Sequence, residues 1–163
     1  MTTYHPVTEK ITTLLTEHGV WFETFEHAPV RTSEEAAATR PEYTISQGAK
    51  ALIVRVKRDS AKFFAQVVVP GDKRFDSKKL KSVFGLSDVR FATEEEVHTI
   101  TGGVLPGGVP PFGTLFGLTV YADNGVFENE KIIFNAGDRA FSVGMFSRDY
   151  DAVVHPAKGD ICM

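Results

Sequence analysis

Apolar positions along the first twenty residues repeat with a helical period. Val7, Ile11, Leu14, Leu15 and His18 share one face, and Gly19 follows as a stop, which predicts an amphipathic first helix. From Val20 to Glu26 the period falls to two, with Trp21, Glu23 and Phe25 alternating against Phe22 and Thr24. This predicts a strand that ends at His27-Ala-Pro29. Thr32-Ser-Glu-Glu35 is a capping box that predicts a short helix over 34–39, terminated by Arg40-Pro41. A second period-two run begins at Ala49. It sets Lys50, Leu52, Val54 and Val56 on one face and Ala51, Ile53, Arg55 and Lys57 on the other, expected to be wetter, face. Lys62 to Val69 reads as its partner strand. Asp76 caps a helix with Leu80, Val83 and Phe84 inward and Gly85 at its end. Asp88 to Phe91 predicts a short strand, and Thr93-Glu-Glu-Glu96 a second capping box. Leu115 to Tyr121 reads as a strand, and Asp123-Asn-Gly125 as a hairpin turn leading to a return strand at Val126-Phe127 or, more clearly, Ile132 to Phe134. After the turn Asn135-Ala-Gly-Asp138, Ala140 to Phe146 is a last core strand and Ser147 to Val153 a closing helix. The pattern is mixed α+β, with six or seven strands and short helices between them.

Thr101 to Gly113 breaks every period. It holds five of the fourteen glycines and three of the eight prolines. Pro106, Pro110 and Pro111 each lack an N–H and stiffen the chain, while Gly107 and Gly108 allow close approach to the main chain. Val104, Leu105, Val109 and Phe112 interrupt the loop with apolar side chains, which predicts a loop packed down on the body. Long ordered loops of this kind are often functional.

Composition narrows the class. The 163 residues suit one domain spanning 1–163 with a sizeable core. Net charge is −3, which argues against bulk electrostatic binding of long nucleic acid and against a DNA-binding role, but leaves room for a local basic pocket for one phosphate. Cys162 is the single cysteine, so no disulfide framework or cysteine metal site is expected. No stretch matches a membrane span or a signal-peptide core, and the expected setting is the cytoplasm.

The five histidines form no metal-ligand spacing, no cofactor fingerprint is present, and no side-chain nucleophile stands beside an obvious base. What remains is Lys50 at the head of an apolar strand face, a Gly/Pro loop with amides to offer, and the turn Asn135-Ala-Gly137. On strand position alone Lys50 either snorkels from the strand end or aims its ammonium into a pocket. Together these groups would suit an anionic or acyl-bearing ligand, with a cation for phosphate and backbone N–H groups for a carbonyl. His27 and Asn135, at strand-to-loop junctions, are expected near the same pocket.

The same stretches carry a family resemblance. His27-Ala-Pro with Thr32-Ser-Glu-Glu-Ala-Ala, Gln47-Gly-Ala-Lys50-Ala-Leu-Ile-Val, Thr101-Gly-Gly with Gly107-Gly-Val-Pro-Pro-Phe-Gly113, and Asn135-Ala-Gly-Asp-Arg139 resemble the YbaK/prolyl-tRNA synthetase-associated domains. The resemblance covers essentially the whole chain and implies a mixed, barrel-like sheet. It implies hydrolysis of the ester joining a wrong amino acid to the 3′ end of tRNA, with no cofactor and no metal. Lys50 would engage the terminal adenosine and its phosphate. Gly107 and Gly108, through Pro110 and Pro111, would hold the aminoacyl group by their backbone, with Lys50 and Gly108 carrying catalysis and His27, Asn135 and Gly137 lining the site. Water or a group of the substrate would attack. The implied partners are the aminoacyl-tRNA 3′ end and, as a further candidate, an aminoacyl-tRNA synthetase. A non-catalytic module binding tRNA ends or synthetases, and a hydrolase of a small acyl or nucleotide metabolite, are the alternatives.

Overall fold

The computed structural model describes residues 3–29 and 42–163. The helix expected over 34–39 lies outside them. The described chain forms a three-stranded and a five-stranded sheet with four helices, a mixed α+β architecture.

Helix α1 (Pro6–Glu17) starts on a proline and is capped by His5, whose Nδ1 accepts from the Val7 N–H at 3.1 Å. Its buried face is Val7, Thr8, Ile11 and Leu15, as the helical period requires. Strand β1 (Phe22–Glu26) pairs antiparallel with β7 (Phe141–Phe146), which pairs antiparallel with β6 (Lys131–Asp138). In the second sheet the order is β4 (Asp88–Phe91), β2 (Ala49–Arg58), β3 (Ala61–Pro70), β5 (Thr119–Asp123), β8 (Ala157–Gly159). The pairs β2–β3 and β2–β4 are antiparallel, whereas β3–β5 and β5–β8 are parallel. Helices α2 (Ser77–Phe84), α3 (Glu94–Thr101) and α4 (Ser147–Val154) complete the list. Asp76 and Gly85 cap α2, and Thr93 with Glu96 forms the capping box of α3, as read from sequence.

Five expectations change. Among the described residues the strands number eight, and the sheets are open rather than barrel-like, with an isolated parallel bridge, Gly48–Ile133, between the start of β2 and β6. Asp123-Asn-Gly125 makes no hairpin. The Asp123 carboxylate is buried, accepting from the Gly125 N–H at 2.9 Å and from the Ile161 N–H at 3.0 Å. It thereby opens a 3-10 turn over Asn124–Glu128 and ties the C-terminal segment to β5, leaving β5 between two parallel neighbours. Val83, expected inward, is 46% exposed, while Leu80 is fully buried. Ile53, on the face expected to be wetter, is buried because that face of β2 and β3 packs against the Gly/Pro segment.

Two apolar clusters result. One joins α1, α4, the inner face of β6 and β7, and Phe112. The other lies between β2, β3, β5, α2 and the C-terminal Ile161-Cys162. Among the described residues no helix is long and apolar enough to cross a membrane.

Candidate active site

The site is built where β6 departs from regular pairing. Asn135 pairs with Ser142 and Asp138 with Phe141, so Ala136 and Gly137 bulge out of the ladder. Gly137 has φ +89°, and a Cβ there would meet Val7 at 3.0 Å, so glycine is required by both backbone and space. The Thr8 hydroxyl donates to the Ala136 carbonyl at 2.6 Å and pins the bulge to α1.

The bulge holds the Gly/Pro loop. Gly137 N–H donates to the Gly108 carbonyl at 2.8 Å, and Asn135 Nδ2 to the Gly107 carbonyl at 2.7 Å. The Asn135 Oδ1 accepts from the Ser142 hydroxyl at 3.0 Å, and His27 Nε2 lies 2.7 Å from that same hydroxyl oxygen. His27 is set by its backbone N–H, which donates to the Ala140 carbonyl, and by Nδ1, which lies 2.8 Å from the Ala28 carbonyl. A carbonyl only accepts, so Nδ1 is the donor there. His27, Ser142, Asn135, Gly107, Gly108 and Gly137 thus form one connected set.

Of the four apolar residues expected to pack the loop down, Val104 and Phe112 are buried and Val109 is half-buried, whereas Leu105 is 55% exposed. Phe112 is fully buried between Phe134 and Tyr150, with ring centroids 5.3 and 5.5 Å away. Gln66 Nε2 donates to the Pro110 carbonyl and Gln66 Oε1 accepts from the Gly113 N–H, both at 2.8 Å. The Tyr150 hydroxyl donates to the Pro111 carbonyl at 2.6 Å, and burial raises its pKa. Pro110 and Pro111 are therefore buried anchors with occupied carbonyls. Gly103, Val104, Gly108 and Gly113 spend their N–H groups inside the protein, whereas those of Gly107 and Val109 have no hydrogen-bond partner among the described residues.

Lys50 belongs to none of these bonds. It is half-buried rather than deeply buried, and its Nζ donates to the Lys73 carbonyl at 2.9 Å. The isolated Gly48–Ile133 bridge brings the start of β2 beside β6, two residues before Lys50 and two before Asn135, but no hydrogen bond joins Lys50 to the set among the described residues. Asn135 and Ser142 are cross-strand partners in β6 and β7, and His27 reaches Ser142 from the end of β1.

Sequence reasoning missed Ser142 and Gln66. Gln66 was findable: an amide inside the apolar run Ala65 to Val69 must meet a buried partner. Ser142 carried no such signal, because its partners come from β1 and β6. The Ser142–His27 contact has nucleophile–base spacing, but Ser142 is 0% exposed and its hydroxyl is spent on Asn135, so in this arrangement it positions its neighbours. Among the described residues no group of three or more His, Cys, Asp or Glu side chains is disposed to hold a metal.

The class of protein follows from the fold and site together with the relatives. The model of the aminoacyl-tRNA editing domain family matches residues 27–152, a span that contains the whole hydrogen-bonded set, and the chain belongs to this family. It is an aminoacyl-tRNA deacylase of translation quality control. More particularly, it is 31% identical over 149 residues, covering 91% of this chain and 88% of the other, to the Multifunctional Ser/Thr-tRNA deacylase ProXp-y of Escherichia coli (strain K12). It is 34% identical over 80 residues to the Proline--tRNA ligase of Sulfurihydrogenibium sp. (strain YO3AOP1), covering 49% of this chain and 14% of that enzyme. Among solved structures, the hypothetical protein APE2540 superposes with TM-score 0.82 at 27% identity, covering 94% of this chain and 99% of that one. A structure described as a candidate trans-editing enzyme for prolyl tRNA synthetase shares the fold with TM-score 0.82 at 23% identity, covering 99% of both chains.

Proposed function

We propose that the chain acts in trans, as a single editing-type unit in the cytoplasm, on a small amino acid wrongly esterified to the tRNA 3′ end. Seryl and threonyl esters are the first candidates, because the E. coli relative is named for them. The observation that carries the reading is the latched Gly107-Gly108 segment, whose Gly107 and Val109 N–H groups have no hydrogen-bond partner among the described residues.

In this reading the open N–H groups receive the ester carbonyl and stabilise the oxyanion that develops on it. The Lys50 ammonium leaves the Lys73 carbonyl for the terminal phosphate. Water adds to the carbonyl carbon, the carbon–oxygen ester bond breaks, and the ribose hydroxyl departs with a proton delivered from solvent or the substrate. His27, Ser142 and Asn135 fix the floor on which the loop rests. Rate enhancement then comes from positioning and preorganised donors. Asp138 and Arg139 flank the bulge, and pocket shape around it sets the choice of amino acid, at about 1–3 kcal/mol per methylene. A synthetase as physical partner is proposed on the match to a proline–tRNA ligase.

The test is deacylation of a panel of mischarged tRNAs at catalytic protein concentration. Multiple turnover of seryl- or threonyl-tRNA, faster than of larger aminoacyl esters, is expected. Protection of the ester without turnover would replace this reading by a tRNA-end-binding module. Turnover of free aminoacyl-adenosine as efficient as that of full-length tRNA would replace it by a small-metabolite hydrolase.

A further inference from the structure

At the opposite end of β6 and β7 from the bulge, the exposed ring of Trp21 and the half-buried ring of Phe146 meet two cations. Trp21 is 43% exposed, and its ring lies 5.1 Å from that of Phe146 at 46°. Lys131 Nζ sits 4.8 Å from the Trp21 ring centroid and 5.7 Å from that of Phe146. The Arg148 guanidinium lies 4.7 Å from the Phe146 centroid. Neither Lys131 nor Arg148 enters any ion pair among the described residues. A cation over a ring at a surface is ordinary, worth about 0.5–1 kcal/mol. Two cations without carboxylates, on rings that remain partly open, offer more: flat faces for bases and charges for phosphates.

The location gives the cluster its meaning. Lys131 pairs with Phe146 and Asn135 with Ser142, so alternation puts all four on one face of the sheet. Four residues at ~3.3 Å place Lys131 about 13 Å from Asn135. The cluster is also fixed relative to Lys50. Gln47 Nε2 donates to the Lys131 carbonyl at 3.4 Å, and Asn129 Nδ2 to the Ser46 carbonyl at 2.9 Å, clamping the turn before β2 to the start of β6. A strand of RNA whose terminal nucleotide lies at Lys50 and Gly107 would reach the cluster within a few nucleotides.

We propose that Trp21, Phe146, Lys131 and Arg148 form a stacking platform for unpaired nucleotides immediately preceding the terminal adenosine, an inference that rests on the deacylase reading. Stacking on an aromatic ring is tolerant of base identity, so the platform adds affinity for any tRNA end and leaves amino-acid choice to the loop.

Trp21 is the sole tryptophan of the chain, so its fluorescence reports the platform alone. The experiment titrates the full chain with an unpaired RNA tetranucleotide and, separately, with adenosine monophosphate. It also measures kcat/KM on mischarged tRNA for wild type, Trp21→Ala and Trp21→Phe, with circular dichroism to confirm folding. The tetranucleotide should quench and shift Trp21 emission where the mononucleotide does not, and Lys131→Gln should weaken that response. Trp21→Ala should lower kcat/KM on tRNA by roughly 5- to 150-fold, the range for loss of one stacked base, and Trp21→Phe should recover most of it. Unchanged emission with the tetranucleotide overturns the platform, as does a folded Trp21→Ala variant with wild-type kcat/KM. Equal losses in Trp21→Ala and Trp21→Phe would likewise assign Trp21 a structural role only. If Trp21→Ala fails to fold, the fluorescence titration of wild type and Lys131→Gln decides. None of these outcomes depends on which ester is preferred, so they are separate from the panel that tests the function.

Discussion

Asn135 is the residue on which the loop turns. It donates to the Gly107 carbonyl and accepts from the Ser142 hydroxyl, so one amide joins the loop, β6 and β7. Asn135→Ala removes both bonds and takes the donor from the Gly107 carbonyl, while Ser142 keeps its contact with His27, at a cost of about 1–3 kcal/mol. A lower melting temperature and at least a tenfold loss of kcat/KM are expected. Asn135→Asp keeps the acceptor for Ser142 but loses the donor to Gly107 and adds a negative charge where an RNA end is to bind, so it should not rescue activity. Wild-type deacylation by Asn135→Ala would remove the latch from the mechanism. Gly108 is tighter than its loop sequence suggested. A Cβ there would meet the Leu105 carbonyl oxygen at 3.3 Å and Asp138 Cα at 3.4 Å, so Gly108→Val disturbs the bulge as well as a ligand. Lys50 was legible as the head of an apolar strand face. Its hydrogen bond to Lys73 was not, because that carbonyl belongs to a turn whose path the local sequence does not set.

The Gly/Pro segment shows at the element scale what a sequence can and cannot reveal. Its prolines, glycines and apolar insertions announced an ordered loop held against the body, and Val104, Gly108, Pro110, Pro111 and Phe112 are indeed buried. The caps Asp76, Gly85 and Thr93 were equally legible, since each acts within one turn of chain. Pairing over distance was not. The parallel placement of β5 between β3 and β8 depends on Asp123 reaching Ile161, 38 residues on, and a local turn motif conceals that choice. Gln66 links the loop to β3 with two hydrogen bonds in a fully buried setting. Gln66→Leu would strand the Pro110 carbonyl and the Gly113 N–H, so a loss of about 2–5 kcal/mol is expected, larger than for a typical core substitution. Chemical denaturation measures it, and a loss below ~0.5 kcal/mol would show that the loop is held by its apolar residues alone.

The whole molecule is two apolar clusters joined through β2, β3 and the loop, with the C-terminal segment sealing the one farther from the site. Phe75 bridges Cys162, the Met163 N–H donates to the Arg74 carbonyl, and Lys79 Nζ donates to the Cys162 carbonyl. Cys162 is buried, and that burial, with the Asp123 carboxylate nearby, pushes its thiol up to about 12. A raised folded-state pKa contributes stability that is fully present below the unfolded value, about 8.5, and is lost as pH rises toward 12. The wild type should therefore lose more stability than Cys162→Ala between pH 8 and 11 in denaturant titrations, and native Cys162 should resist alkylation at pH 8. Rapid alkylation of the folded protein would contradict the sealed C-terminus. The proposed account as a whole, an RNA-end deacylase in which Lys50 binds the terminal phosphate and the latched Gly107-Gly108 segment the ester carbonyl, meets its most direct test in one paired kinetic measurement. Multiple-turnover deacylation of mischarged tRNA is followed for wild type, Lys50→Ala and the distant cation control Lys57→Ala, with melting temperatures alongside. Losing one charge-assisted contact costs about 1.5–3 kcal/mol, so Lys50→Ala should fall by roughly one to two decades in kcat/KM at a nearly unchanged melting temperature while Lys57→Ala stays near wild type. Wild-type turnover by Lys50→Ala, or equal losses in both variants, would contradict it.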